Sequence, residues 1–177
     1  GGELYFEMHR GTLTSQAETK VGNRRCEALL REAELWWASA VDTGVAIPAE
    51  ITAELDTLWK DVLLQQFHDI IPGSSITWVH DDAEAAHARV AQRLEMLIER
   101  ALSQLAPAER AVANAATHAR REVVALSQAP AAAVSQPLHD GRHAAMVAVP
   151  GSALVALRAQ EPDDAVVVLL STEGLPE

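Results

Sequence analysis

The sequence predicts a mainly α-helical protein with a β C-terminal segment, a three-helix bundle followed by short antiparallel strands. Two observations carry this. Three successive stretches between about residues 14 and 106 repeat apolar side chains at helical spacing. From about Arg110 onward the charges thin out, and short β-type runs alternate with turn residues.

The first helix is expected from roughly Thr14 to Ala40, where Leu29, Ala33, Trp36 and Ala40 fall on one face. Asp42-Thr43-Gly44 should stop it. The second opens at Pro48, well suited to the first helical position, with Glu50 in the same turn. Its stripe is Ile51, Leu55, Leu58 and Val62; Leu63, Leu64 and Phe67 widen it, which predicts burial on several sides. Pro72-Gly73 should end this helix near Ile70. The third follows Ser74 and Ser75 as candidate N-caps and keeps a regular stripe from Val79 through Ala83, Ala86, Val90, Leu94, Leu97 and Ala101 to Leu105. Pro107 closes it.

Beyond it, strands are expected at Val123–Leu126, Ala144–Val149 and Val166–Leu170. His139-Asp140-Gly141-Arg142 is a hairpin signal between two runs. These strands are few and alanine-rich, and they read as the start of a larger sheet. The opening Gly1-Gly2-Glu3-Leu4-Tyr5 has no initiator methionine, and Leu4 to Met8 reads like the tail of a strand already under way. The chain is therefore expected to be a piece of a longer polypeptide, although one or two added glycines would explain the opening as well.

With 177 residues, 49% hydrophobic and 22% charged, the chain can bury a core without disulfides or metal. Its formal net charge of −11 argues against nucleic acid and against anionic membrane surfaces. No stretch approaches the apolar length of a membrane span. The single cysteine, Cys26, permits no intramolecular disulfide and suits a reducing cytosol.

The densest polar cluster is Gln65-Gln66-Phe67-His68-Asp69-Ile70-Ile71-Pro72-Gly73-Ser74-Ser75. At the end of an apolar helix, such a pair suits a cation near the negative pole or a histidine hydrogen-bonded at a helix terminus. One histidine cannot make a zinc site, which needs three or four ligands. His80 and His87 share a helix face among alanines and acids and read as solvated. His139 and His143 flank a turn, and His118 has no evident partner in the sequence. His9-Arg10-Gly11-Thr12 with Thr14-Ser15-Gln16 reads as a turn into a helix cap. Cys26, within a helix, reads as an inert core residue. Trp36 and Trp59 are placed in the core, while Trp37 and Trp78 are open to either a core or a sugar-stacking role.

Together these stretches resemble a known family. Gly2-Glu3-Leu4-Tyr5, His9-Arg10-Gly11-Thr12-Leu13-Thr14-Ser15-Gln16, Asn23-Arg24-Arg25 and Leu30-Arg31-Glu32-Ala33-Glu34 are similar to the end of the catalytic domain of glycoside hydrolase family 38 α-mannosidases. Leu58-Trp59-Lys60 and the Phe67-His68-Asp69 cluster through Ser75 resemble that family's helical middle domain, while Val112-Ala113-Asn114 and Arg120–Val124 resemble the start of its β-rich region. The resemblance implies three parts: residues 1–13 as the tail of an upstream catalytic domain, 14–106 as the middle domain, and 109–177 as the start of the β-rich domain. It implies a retaining exo-α-mannosidase that hydrolyses terminal α-mannosidic bonds with one zinc ion. His68 matches a zinc ligand and Asp69 a substrate contact, and no catalytic residue falls in this stretch. The expected partners are mannose-containing glycans and the catalytic domain of the same polypeptide. No His-x-Asp pair occurs before residue 9 and no segment could supply the family's nucleophile domain, so the isolated chain is expected to be inactive and prone to self-association. The Phe-His-Asp form resembles the bacterial and cytosolic branch, which suggests a cytoplasmic protein. The alternative is a non-catalytic helical protein-interaction module, in which His68 would be packed rather than open.

Overall fold

A computed structural model describes residues 11–106, 110–127, 129 and 135–157. The element order is α1 (Ala17–Asp42), α2 (Ala49–Gln65), α3 (Thr77–Leu105), β1 (Arg110–Asn114), β2 (Arg120–Leu126), β3 (Ser135–Pro137), β4 (His143–Val149) and β5 (Ala153–Leu157). Three helices followed by short antiparallel strands are the predicted class. The chain forms two compact units, Gly1–Trp37 with Ala46–Glu99, and Ala38–Val45 with Arg100–Glu177.

In the first unit the helical stripes become the core. Leu30, Ala33 and Trp36 of α1, Ile51, Leu58 and Val62 of α2, and Val90, Leu94 and Leu97 of α3 are all buried. Polar bonds join every helix pair. Trp37 donates its indole N–H to the Leu97 carbonyl (3.1 Å). Trp59 donates to Glu34 (2.8 Å), and Arg93 to Glu54 (2.6 Å). Trp37 is thus a core residue, its one donor satisfied. Trp59 is only half-buried, because its ring lies at the edge of the α1–α2 seam with its nitrogen on an exposed carboxylate.

Three expectations for α2 and α3 are corrected. The helix α2 ends at Gln65 rather than near Ile70. The Gln66 side chain is taken by Asn23 (3.0 Å) and Glu27 (2.9 Å) of α1, and the amides of Ile70 and Ile71 turn back to the Phe67 carbonyl. Nor is α2 buried on several sides, since Leu63, Leu64 and Phe67 are exposed. Finally, Ser74 and Ser75 do not cap α3, which begins at Thr77; their hydroxyls reach back to Asp69 instead.

In the second unit the end of α1 closes in a Schellman turn. Val45 N–H bonds the Ala40 carbonyl (3.0 Å), Gly44 N–H bonds Val41 (2.9 Å), and Gly44 sits at φ +93°. The strands make two antiparallel sheets, β1–β5 and β2–β4–β3. Along β4, Ala145, Val147 and Val149 are buried while Met146 and Ala148 are exposed, the alternation expected of a half-buried strand. Val112, Val124, Val147 and Val149 form the small core. The hairpin expected at His139–Arg142 joins β3 to β4: Leu138 N–H bonds Arg142 O (2.8 Å), and Gly141 adopts φ +83°. The strand expected at Val166–Leu170 lies outside the described residues.

Candidate functional site

The segment from Gln66 to Ile76 links α2 to α3, and it carries His68 and Asp69 at its outer bend. Its near end is pinned to α1 by the two Gln66 bonds described above. Its far end is pinned by Ser15, whose hydroxyl donates to the Pro72 carbonyl (3.0 Å). Inside the bend, Ser75 donates to the Asp69 carbonyl (2.5 Å), and Ser74 to Asp69 Oδ1 (3.3 Å).

His68 is 77% exposed and Asp69 53%. Their Nε2 and Oδ2 atoms are 3.4 Å apart, and the Phe67 ring lies 4.1 Å from the imidazole, centroid to centroid. A polar contact this exposed contributes little to stability. The bend therefore positions an open imidazole and an open carboxylate instead of consuming them. Exposed Leu64, Phe67, Ile76 and Trp78 occupy the same stretch of chain. Trp78 does not join the core and keeps its ring available.

The donor chemistry bears on the zinc expected from the sequence. An imidazole and a carboxylate are ordinary zinc ligands, but they supply at most half of a tetrahedral set. Among the described residues no group of three or more His, Cys, Asp or Glu side chains comes together for a metal. The pair thus fits a site whose remaining ligands come from other residues.

The reading of His80 and His87 as a solvated face is wrong, as both are 2% exposed. They pack in the α1–α3 seam because the residues around them are small. Gly22 lies against the His87 ring, and Ala83 and Ala86 are buried beside it. His80 Nδ1 shares a hydrogen bond with the Thr19 hydroxyl (3.2 Å), and Cys26 donates its thiol to the His87 carbonyl (3.4 Å). His80 Nε2 and both ring nitrogens of His87 are buried without a hydrogen-bond partner. Burial lowers the His87 pKa. A groove of about 200 Å³ runs alongside, lined by Glu18, Gly22, Arg25, Glu84 and His87 among others; neither His68 nor Asp69 lines it.

Two structural polar residues escaped the sequence reading. Glu32 is buried, and its carboxyl pKa is raised by that burial despite the hydrogen bond from Trp36 Nε1 (3.1 Å). Asn114 is fully buried in the second unit. Its amide donates to the carbonyls of His118 (2.9 Å), Val149 (3.3 Å) and Pro150 (2.9 Å), and its oxygen accepts from Ala116 N–H (3.0 Å). No sequence periodicity marks either role, since both depend on contacts made after folding.

Residues 7–105 of the chain match a family model, the alpha mannosidase middle domain. The chain belongs to that family. Among its relatives, alpha-mannosidase 2C1 of Homo sapiens is 33% identical over 187 residues, covering 98% of this chain. Alpha-mannosidase G of Dictyostelium discoideum is 42% identical over 106 residues, 59% of this chain, and the Saccharomyces cerevisiae alpha-mannosidase 48% identical over 82 residues, 45% of this chain. The chain spans only 17%, 9% and 7% of the lengths of these three proteins. Among the described residues no helix is long and apolar enough to cross a membrane.

Proposed function

We propose that this chain is the central part of a zinc-dependent retaining exo-α-mannosidase, to which it contributes His68 as a metal ligand and Asp69 as a contact for sugar hydroxyls. The observation that carries the reading is the braced, outward His68-Asp69 bend. A histidine kept for packing would be enclosed and hydrogen-bonded, as His80 is through Thr19. The non-catalytic module requires that enclosed state of His68, so the openness of the ring favours the enzyme.

On this reading residues 1–13 end the catalytic domain, 14–106 form the middle domain and 109–177 begin the β-rich region. His68 would hold the metal through a neutral imidazole nitrogen. Bound zinc would supply Lewis-acid binding and orientation of the mannose hydroxyls. Asp69 accepts hydrogen bonds from those hydroxyls. Ser74 donates to its Oδ1 (3.3 Å), while its Oδ2 faces His68 Nε2 at 3.4 Å. The exposed rings of Phe67 and Trp78 offer apolar faces to a sugar or to the adjoining domain. Two carboxylates from the rest of the polypeptide would serve as nucleophile and acid/base in a double displacement on terminal mannose of a glycan.

The test is hydrolysis of an aryl α-mannoside by the full-length enzyme and two variants. His68→Ala should abolish turnover, and Asp69→Asn should lower kcat/KM by at least about 10-fold, as loss of a charged hydrogen bond does. Wild-type kinetics in both variants would leave the bend as a mere helix connection.

A further inference from the structure

Resting on the functional reading just given, we propose that Ser15 is a positioning residue for the His68-Asp69 bend, acting through an interlock with Gly73. Within the bend Ile70, Ile71 and Pro72 are half-buried, while Phe67 and Ile76 are exposed. Among the bonds described, Gln66 ties it to α1 at one end and Ser15 ties it to the turn before α1 at the other. His68 and Asp69 lie between the two ties.

Ser15 is itself fixed with unusual care for a residue outside a helix. Its amide bonds the Gly11 carbonyl (2.8 Å), and its carbonyl accepts from Lys20 Nζ (2.6 Å). Gly11 adopts φ +79°, and Gln16, directly after Ser15, takes φ +51°, a left-handed conformation that a side chain disfavours. The hydroxyl held by this turn goes to Pro72, 57 positions away in sequence.

Gly73 completes the lock. At φ +90° it presents its bare α-carbon to Ser15, and a β-carbon there would lie 2.5 Å from Ser15 Oγ, 3.3 Å from Ser15 Cβ and 3.1 Å from Gln16 Cγ. No side chain fits while Ser15 donates to Pro72. The bond and the close approach are thus one device. It sets where the chain leaves the bend, and so the direction in which His68 and Asp69 are offered.

The experiment uses the full-length enzyme with Ser15→Ala, Ser15→Thr, Gly73→Ala and the double variant Ser15→Ala/Gly73→Ala. Zinc affinity of the metal-stripped protein is read by chelator competition, kcat and KM on an aryl α-mannoside, and folding by thermal melting. Loss of a residue that orients a metal ligand should cost about 10-fold or more in zinc affinity and kcat. Ser15→Ala should show that loss with KM within about twofold and the melting transition near that of the wild type. Ser15→Thr, which keeps the hydroxyl, should restore both. Gly73→Ala should be worse, and removing the Ser15 hydroxyl should relieve it, so the double variant falls short of the product of the singles. Ser15→Ala with wild-type zinc affinity and kcat overturns the proposal, as does a fully multiplicative double variant. If His68→Ala also keeps its zinc, the functional reading itself has failed, and that result is distinct from a failure of the lock alone.

Discussion

Replacing Gly22 by alanine sets two local effects against each other, and the structure decides between them. In an exposed helix interior the change should stabilise by about 1 kcal/mol, because glycine surrenders the most backbone freedom on folding. Here the new methyl would lie 2.7 Å from His87 Nδ1 and 2.9 Å from both its Cβ and Cγ. Cβ and Cγ are the root of the side chain, so turning the ring about the Cβ–Cγ bond moves Nδ1 away but clears neither of them. The seam is also held nearby by Thr19–His80 and Cys26–His87, and it resists opening. Overpacking of this kind costs about 1–3 kcal/mol. The net expectation is a loss of roughly 1–2 kcal/mol, the overlap outweighing the propensity. Urea denaturation of the chain gives the number. In a His87→Ala background the overlaps with Nδ1 and Cγ are gone and only the one with Cβ remains (2.9 Å), so the same Gly22→Ala change should destabilise less. If Gly22→Ala stabilises both backgrounds equally, the close packing of Gly22 on His87 is refuted.

Three further outcomes follow from buried polar groups. His87 is held neutral, its pKa lowered by burial below the ordinary 6.5, so the unfolded chain binds the proton more readily. Stability should be fully present above pH 6.5 and fall as the pH drops below it toward the folded-state value, and His87→Leu should flatten the dependence of the urea midpoint over that range. Glu32 has the opposite sense: its raised carboxyl pKa means a contribution present below 4.5 and lost as the pH rises through the folded value. At neutral pH, Glu32→Gln keeps an acceptor for Trp36 and should raise stability by about 1 kcal/mol in the same assay. Asn114→Ala strands three carbonyls and one amide that Asn114 now satisfies. It should cost roughly 2–5 kcal/mol, seen as an earlier unfolding transition by circular dichroism in the β region.

The helices were legible because their spacing is long and regular. In α3 the stripe Ala83, Ala86, Val90, Leu94, Leu97 and Ala101 is buried as its period demands. In α1 the stripe was read slightly off, since Leu30 is fully buried where Leu29 is only half so. The hairpin was legible from Asp140-Gly141, whose glycine takes the positive φ the turn requires. The errors came from contacts distant in sequence. His80 and His87 looked solvated among alanines, yet those small residues and Gly22, 65 positions from His87, make the room that buries them. Ser74 and Ser75 carried the right chemistry for a cap, but the Asp69 carbonyl lay within reach and took them. At the candidate site, the motif around His68 singled out the residues. It did not reveal that the ring would stand open, nor that Ser15 and Gly73 would lock the bend.

Ligation of zinc by His68 is read most directly as zinc affinity. Metal-stripped full-length enzyme, its His68→Ala variant and a His118→Ala control would be titrated with zinc against a chromophoric chelator. Ligation by His68 predicts affinity lower by at least about 10-fold for His68→Ala and unchanged for His118→Ala, whose exposed histidine offers its backbone carbonyl to Asn114. Equal affinity in all three proteins would contradict it.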